Sequence, residues 1–419
     1  MWVWSQDICS YSLFYTIFFI GCNFSYFWYW NCYYFTNSFI IFYIYKLWIN
    51  NWFYSLYNYF DFWSSSWVKW GVFKLKRVRV LMIFIPFSFF FIIIMFRGIF
   101  ISISSCSWLY VWIGLEINLM SFIPLIICGS NDIESERAVK YFLVQALGSC
   151  IILFSYFLFI GYFNYLYITS FYNYLIIFSL MLKIGIFPFH HWLPHIINGS
   201  RWFICFLLSV VQKVAPSFIM CFRVLGCRGS FILLLGSIGS LFGGINGLNQ
   251  RQLRMIMAYS SIGHLGWIFC SIYYSFFIFI YYYLIYTFIN FRIIILLIIY
   301  PLKTNNINTF NYIPTYYLFF LCFSFISLAG LPPFLGFYSK LLVIFYIVNF
   351  NQNLYCFFLI TGSLINLFYY LSIFFNIFLI SSFKNFYTAK YNGLSLISFL
   401  VCFSISITYL GFGILYLLF

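Results

Sequence analysis

Six stretches of this chain, residues 8–45, 141–182, 255–291, 304–339, 341–383 and 391–419, contain no Asp, Glu, Lys or Arg at all. A bilayer-spanning helix needs ~20 apolar residues, so each of the longer stretches holds about two helices joined by a turn. Inside lipid every backbone N–H and C=O must find a partner within the protein, which leaves only helices and closed barrels. Barrel strands alternate polar and apolar side chains, and these unbroken apolar runs do not. The expected fold class is an all-α polytopic membrane protein with about 13 transmembrane helices, in a range of roughly 12–14.

Composition supports the same class. Only 6% of the 419 residues are charged, against ~25% in a soluble domain, so a water-facing surface over most of the chain is excluded. The formal charge of +15 would suggest a nucleic-acid partner in a soluble protein. Beside membrane helices, basic residues are instead what orientation requires. Spans are expected near 80–100, 107–128, 141–163, 167–187, 203–222, 230–247, 255–273, 275–300, 316–346, 353–380 and 394–417. Simple alternation then puts Lys74, Lys76, Arg77, Arg79, Arg137, Lys140, Arg201, Arg251, Arg254, Lys303, Lys384 and Lys390 on one side, and only Arg97, Arg223 and Arg228 on the other. Such a bias marks the interior face. Residues 1–79 are expected to be an N-terminal extension of one or two membrane helices, near 10–30 and 32–49, with a linker around Asp61–Ser66; residues 80–419 form the main membrane domain.

The start of the chain lacks both the basic region of a signal peptide and the Arg-rich pattern of a transit peptide. Alanine occurs six times while Phe reaches 62 and Tyr 39. That usage has no physical reason in a helical membrane protein and fits an AT-rich, organelle-encoded gene. The 13 cysteines contain no Cys-x-x-Cys. Without close thiolate pairs they suit an apolar core better than zinc or iron–sulfur ligation, so no metal and no electron-carrying centre is expected in this chain.

The charges left at depth are Glu116, Lys183, Lys213 and Lys340, with Arg292 near a helix end. A charge at the bilayer centre costs at least ~2.5–3.5 kcal/mol, which demands a partner, a hydrated cavity or neutralisation. Glu116 is the only carboxylate within an apolar span; Asp132, Glu134 and Glu136 cluster in the following polar loop, where solvated charges are expected. One acid facing several lysines is the least that a switchable pair needs, and a purely structural ion pair is the alternative. An ammonium stripped of water holds its proton less firmly, which suits a proton carrier. Snorkelling to the interface is the other use of a long basic side chain, and Lys213 lies too deep in its span for that to be easy. Two proline interruptions, Gly185-Ile-Phe-Pro188 and Gly330-Leu-Pro-Pro333, stand beside Lys183 and Lys340. Broken helices in corresponding positions of two halves point to an inverted-repeat transporter. His190, His191 and His195 offer a zinc reading that Pro194 disfavours by breaking their helix; proton relay through His190, His191 or His264 is the preferred use.

Seven motifs in order then carry a resemblance. They are Gly114-Leu-Glu-Ile-Asn-Leu-Met-Ser-Phe-Ile-Pro124, Val139-Lys-Tyr-Phe-Leu-Val-Gln-Ala146, Lys183-Ile-Gly-Ile-Phe-Pro-Phe-His-His-Trp-Leu-Pro194 and Gln212-Lys-Val-Ala-Pro216, then Gly247-Leu-Asn-Gln-Arg-Gln-Leu-Arg254, Ala258-Tyr-Ser-Ser-Ile-Gly-His-Leu-Gly-Trp267 and Gly330-Leu-Pro-Pro-Phe-Leu-Gly-Phe-Tyr-Ser-Lys340. Over residues 80–419 the chain resembles the subunit 2 family of mitochondrial NADH dehydrogenase, antiporter-like membrane subunits of respiratory complex I. The resemblance implies an antiporter-like bundle of two inverted five-helix repeats, each with one discontinuous helix. It implies a proton relay in which Glu116 and Lys183 form a modulating pair, Lys213 is central and Lys340 lies toward the outlet. It implies a multi-pass place in the mitochondrial inner membrane, with lipids and neighbouring antiporter-like subunits as partners and no nucleic acid. NADH, FMN, iron–sulfur clusters and ubiquinone are then bound elsewhere in the complex and none by this chain. The chain departs from the family at His195, where an acidic residue is common, and at Met255, where a basic one is. Rival readings are a sister subunit, a free-standing cation/proton antiporter, or a scaffold with an inactive pathway.

Overall fold

The structure, a computed structural model, describes residues 78–127, 132–161, 166–224, 229–299, 315–332 and 334–384. The expected extension 1–79 and the expected span 394–417 lie almost wholly outside these residues. All packing described below is within residues 90–419.

The regular elements of the described residues are all helices. In chain order they form α1 (Val78–Ser104), α2 (Trp108–Ile127), α3 (Asp132–Gly161), α4 (Leu166–Ile184) and the short α5 (Trp192–Ile197). Then come α6 (residues 202–224), α7 (Gly229–Leu248), α8 (Leu253–Tyr274), α9 (Phe276–Ile299), α10 (Thr315–Ala329), α11 (Leu335–Asn349) and α12 (Asn353–Lys384). Seven of these helices are long and apolar enough to cross a membrane, and α1, α4, α10 and α11 supply shorter apolar segments. The chain is a multi-pass helical membrane protein. Large apolar side chains such as Phe100, Phe277 and Phe368 cover its outer faces, a surface that suits lipid and not water.

Helices α7 and α8 pack closely, and α7 also packs along α12. Lipid gives apolar side chains no reason to prefer one another, so close association relies on small residues that let backbones touch. A Cβ on Gly266 would lie 2.4 Å from the Gly236 carbonyl, and one on Gly243 would lie 2.6 Å from the Gly263 nitrogen. Helix α2 packs on α3 and α3 on α4, while α9 touches α8, α10 and α11. Buried Trp267, Phe279, Tyr282 and Phe325 fill the centre.

The two proline interruptions differ in kind. The break at Gly330 divides one expected span into α10 and α11, as anticipated, whereas the break at Gly185 closes α4 and leads into α5. Both glycines adopt left-handed backbone, φ +76° at Gly185 and +82° at Gly330, which any side chain would strain. A further irregularity lies in α6, which winds as α-helix over Trp202–Phe206, as π-helix over Leu207–Val211, as α-helix over Gln212–Ile219 and as π-helix over Met220–Val224. Pro216 has no N–H to give the carbonyl four residues back, that of Gln212. Tyrosines of α9 meet carbonyls in the π-wound segment: Tyr283 donates to Val210 at 2.7 Å and Tyr286 to Ser209 at 3.4 Å. Mid-helix π turns of this sort are frequent at functional sites.

Glu134 corrects one expectation. It is buried in the first turn of α3 with Arg201 3.9 Å away, because α3 begins at Asp132 and tucks the carboxylate against the start of α6. Glu136 stays exposed and pairs with Lys140 one turn on.

Candidate functional site

Lys183, Lys213 and Lys340 all point inward and are 6%, 2% and 6% exposed. Among the described residues none of them forms a salt bridge; those present join Glu136 to Lys140 and Glu134 to Arg201.

Lys183 occupies the last turn of α4, where the negative end of the helix dipole favours a cation. Its stem lies across α3 at Gly148, whose absent Cβ would sit 2.9 Å from Cγ of the lysine. Glu116 on α2 and the Cys150 thiol on α3 are the charged or titratable groups that act on it electrostatically. Glu116 itself is half-buried. Around Lys183 lies a group of neutral polar side chains. Gln145 donates to the Lys183 carbonyl at 3.1 Å, meeting the open end of α4. The Asn118 and Gln212 amides pair reciprocally, Asn118 Nδ2 donating to Gln212 Oε1 at 2.8 Å and Gln212 Nε2 to Asn118 Oδ1 at 3.2 Å. Tyr141 donates to the same Gln212 oxygen at 3.2 Å. These residues, with Lys183, Leu115, Leu119 and Pro216, line a cavity of about 10 Å³, enough for about one water.

Lys213 follows Gln212 on α6 and looks the other way. Its ammonium donates to the Ser261 hydroxyl on α8 at 3.2 Å. One helical turn along α8, His264 is buried with Nδ1 2.9 Å from the Tyr282 hydroxyl and its ring 5.1 Å from that of Tyr286. The charges of both Lys340 and Lys213 act on His264. Lys340, in the second turn of α11, reaches back across the break and donates to the Ala329 carbonyl at 2.6 Å. That carbonyl belongs to the last turn of α10, whose terminal C=O groups lack helical partners and carry the negative end of the dipole. Gly330 makes room, since a Cβ there would lie 2.9 Å from the ammonium nitrogen. The Trp267 ring lies 5.8 Å from the same nitrogen, within cation–π range.

The histidines separate. His264 lies on the lysine line. His190 and His191 lie with ring centroids 4.2 Å apart, tilted by 32°, in the connection between α4 and α5, and His191 is the group whose charge acts on His190. Among the described residues no three of His, Cys, Asp and Glu gather as a metal site would need. Sequence reasoning gave no role to Asn118, Tyr141, Gln145, Gln212 and Tyr282, although all but Tyr282 lie in the motifs that carry the resemblance.

Residues 105–366 match the family described as NADH:quinone oxidoreductase/Mrp antiporter, transmembrane. The chain belongs to this family. Among relatives of this antiporter-like family, NADH-ubiquinone oxidoreductase chain 2 of Aedes aegypti is 40% identical over 70% of this chain and 87% of its own length. The chain of the same name from Locusta migratoria is 36% identical over 67% and 82%. Solved structures share the fold. A chain of respiratory complex I from Thermus thermophilus superposes with a TM-score of 0.63 at 21% identity, over 69% of this chain and 70% of its own. A chain of the archaeal membrane-bound sulfane sulfur reductase gives 0.67 at 18%, over 77% and 72%.

Proposed function

We propose that this chain is a proton-translocating membrane subunit of respiratory complex I, the NADH:ubiquinone oxidoreductase, in the mitochondrial inner membrane beside other membrane subunits. The observation that carries the proposal is the line of three buried amines, Lys183, Lys213 and Lys340, with His264 between the last two and no salt bridge on any of the three among the described residues. A permanently charged amine among apolar helices without a salt bridge is costly. An amine that takes and gives a proton in turn has a use for the same setting.

In the proposed mechanism, quinone chemistry in neighbouring subunits alters the interaction of Glu116 with Lys183. The change passes to Lys213, then through the Ser261, His264 and Tyr282 neighbourhood to Lys340. Moving one charge against 100 mV takes ~2.3 kcal/mol, and a tenfold change in proton affinity is about 1.4 kcal/mol. A swing of roughly two orders of magnitude at a lysine therefore suffices. NADH, FMN, iron–sulfur clusters and ubiquinone belong to other subunits in this reading. The chain 2 relatives favour complex I over a free-standing antiporter.

The test is Lys213→Ala in the assembled complex. Proton translocation during NADH oxidation is expected to be abolished, with the complex still present in the membrane. Undiminished translocation in an assembled variant would refute the relay role.

A further inference from the structure

Gln212 lies between the two halves of the polar line. Its side chain faces Lys183 through the shared cavity, and the next residue, Lys213, faces Ser261 on α8. Consecutive residues of a helix point about 100° apart, so α6 forms a wall with one amine on each side. The wall is closed by hydrogen bonds. The Gln212 oxygen accepts from Asn118 and from Tyr141, and its amide nitrogen donates to Asn118 at 3.2 Å and to the Met95 sulfur at 3.2 Å. A primary amide offers two donors and two lone pairs, so every position of Gln212 is occupied. One of the four bonds goes to a thioether, a weak acceptor. Asn118, Tyr141 and Gln212 are all buried.

A neutral amide pair passes no proton by itself; transfer between Lys183 and Lys213 needs water. The adjoining cavity has room for about one, and the Met95 contact is the weakest bond to exchange for it. The backbone favours such a movement. The Gln212 N–H bonds back to Leu207, five residues earlier, and Pro216 leaves the Gln212 carbonyl without its helical partner.

We propose that Gln212 is a gate between Lys183 and Lys213, a positioning residue whose amide pair with Asn118 keeps the two amines unconnected until it opens to admit water. The proposal rests on the proton-translocating reading and adds to it the point at which the line is interrupted.

The test uses vesicles containing the assembled membrane complex, oxidising NADH against a set membrane potential, with protons moved per NADH as the readout. Gln212→Ala holds the gate open, so its ratio should fall progressively as the potential is raised. Gln212→Leu keeps the bulk but seals the wall with an apolar side chain, so its ratio should be low at every potential. A Gln212→Ala ratio that follows the unmodified complex at every potential, or a loss independent of potential, overturns the gate. If Gln212→Ala does not assemble, Asn118→Ala opens the same pair from the other side and is judged by the same criterion. Lys213→Ala, measured alongside, separates the two claims. Normal pumping there defeats the parent reading, whereas loss there with a potential-independent Gln212→Ala ratio defeats the gate alone.

Discussion

Lys183 and Lys340 each stand near a left-handed glycine at a helix end, yet the open carbonyls of those ends are met by different groups. At the end of α4 a neutral amide, Gln145, takes the Lys183 carbonyl and leaves the ammonium to other neighbours. At the end of α10 the Lys340 ammonium itself takes the Ala329 carbonyl. The first region contains an acid, three amides and a small cavity; the second holds each amine on one neutral oxygen among aromatic rings. Charge near Lys183 is therefore set by polar groups that can rearrange, and charge near Lys213 and Lys340 by confinement.

That contrast can be broken or sharpened by substitution. Gly330→Val should do most damage, because a branched residue at φ +82° costs about 1–3 kcal/mol and its Cβ also displaces the Lys340 ammonium. Assembled complex in the membrane, measured by native gel, should drop several-fold; normal assembly would mean that confinement at this end is loose. Ser261→Ala comes next. It removes the hydrogen bond held by the Lys213 ammonium, a charge-assisted bond worth about 1.5–3 kcal/mol, and proton translocation should fall roughly tenfold. Gln145→Leu leaves the Lys183 carbonyl without its amide, a loss of about 1 kcal/mol that the neighbouring polar groups can partly take up. A few-fold fall in translocation is expected, and an effect as large as that of Ser261→Ala would erase the distinction. Tyr282→Phe, which takes the hydroxyl from His264 at about 0.5–1.5 kcal/mol, should have the smallest effect on the same assay.

Much of this was legible in the chain itself. Charge-free runs located the spans, and the isolated lysines stood out because little besides Glu116 and Arg292 carries charge at depth. Gly330 and its prolines announced the break between α10 and α11. The winding of α6 was not legible, since Leu207-Leu-Ser-Val-Val211 is as compatible with α as with π-helix, and partners on α9 decide it. Nor was the amide pair, whose members are 94 residues apart and carry no charge to mark them. Glu134 was misread as solvated because only the tertiary fold brings Arg201 to it. Among the histidines the sequence left His190, His191 and His264 open alike, and the packing of α8 against α9 sets His264 among the lysines.

The five residues 207–211 have an evolutionary consequence. A π turn carries one residue more than the α turn it replaces, so deleting a single residue there would relax the winding to α while the helix beyond it keeps nearly the same facing. Gln212 and Lys213 would keep their outlooks, and the cost would fall on Ser209 and Val210, whose carbonyls accept from Tyr286 and Tyr283 of α9 within the wide turn. Drift can exchange one lipid-facing phenylalanine for another apolar residue at little cost, but a one-codon deletion in this segment would unseat α6 from α9 while leaving hydropathy and composition almost untouched.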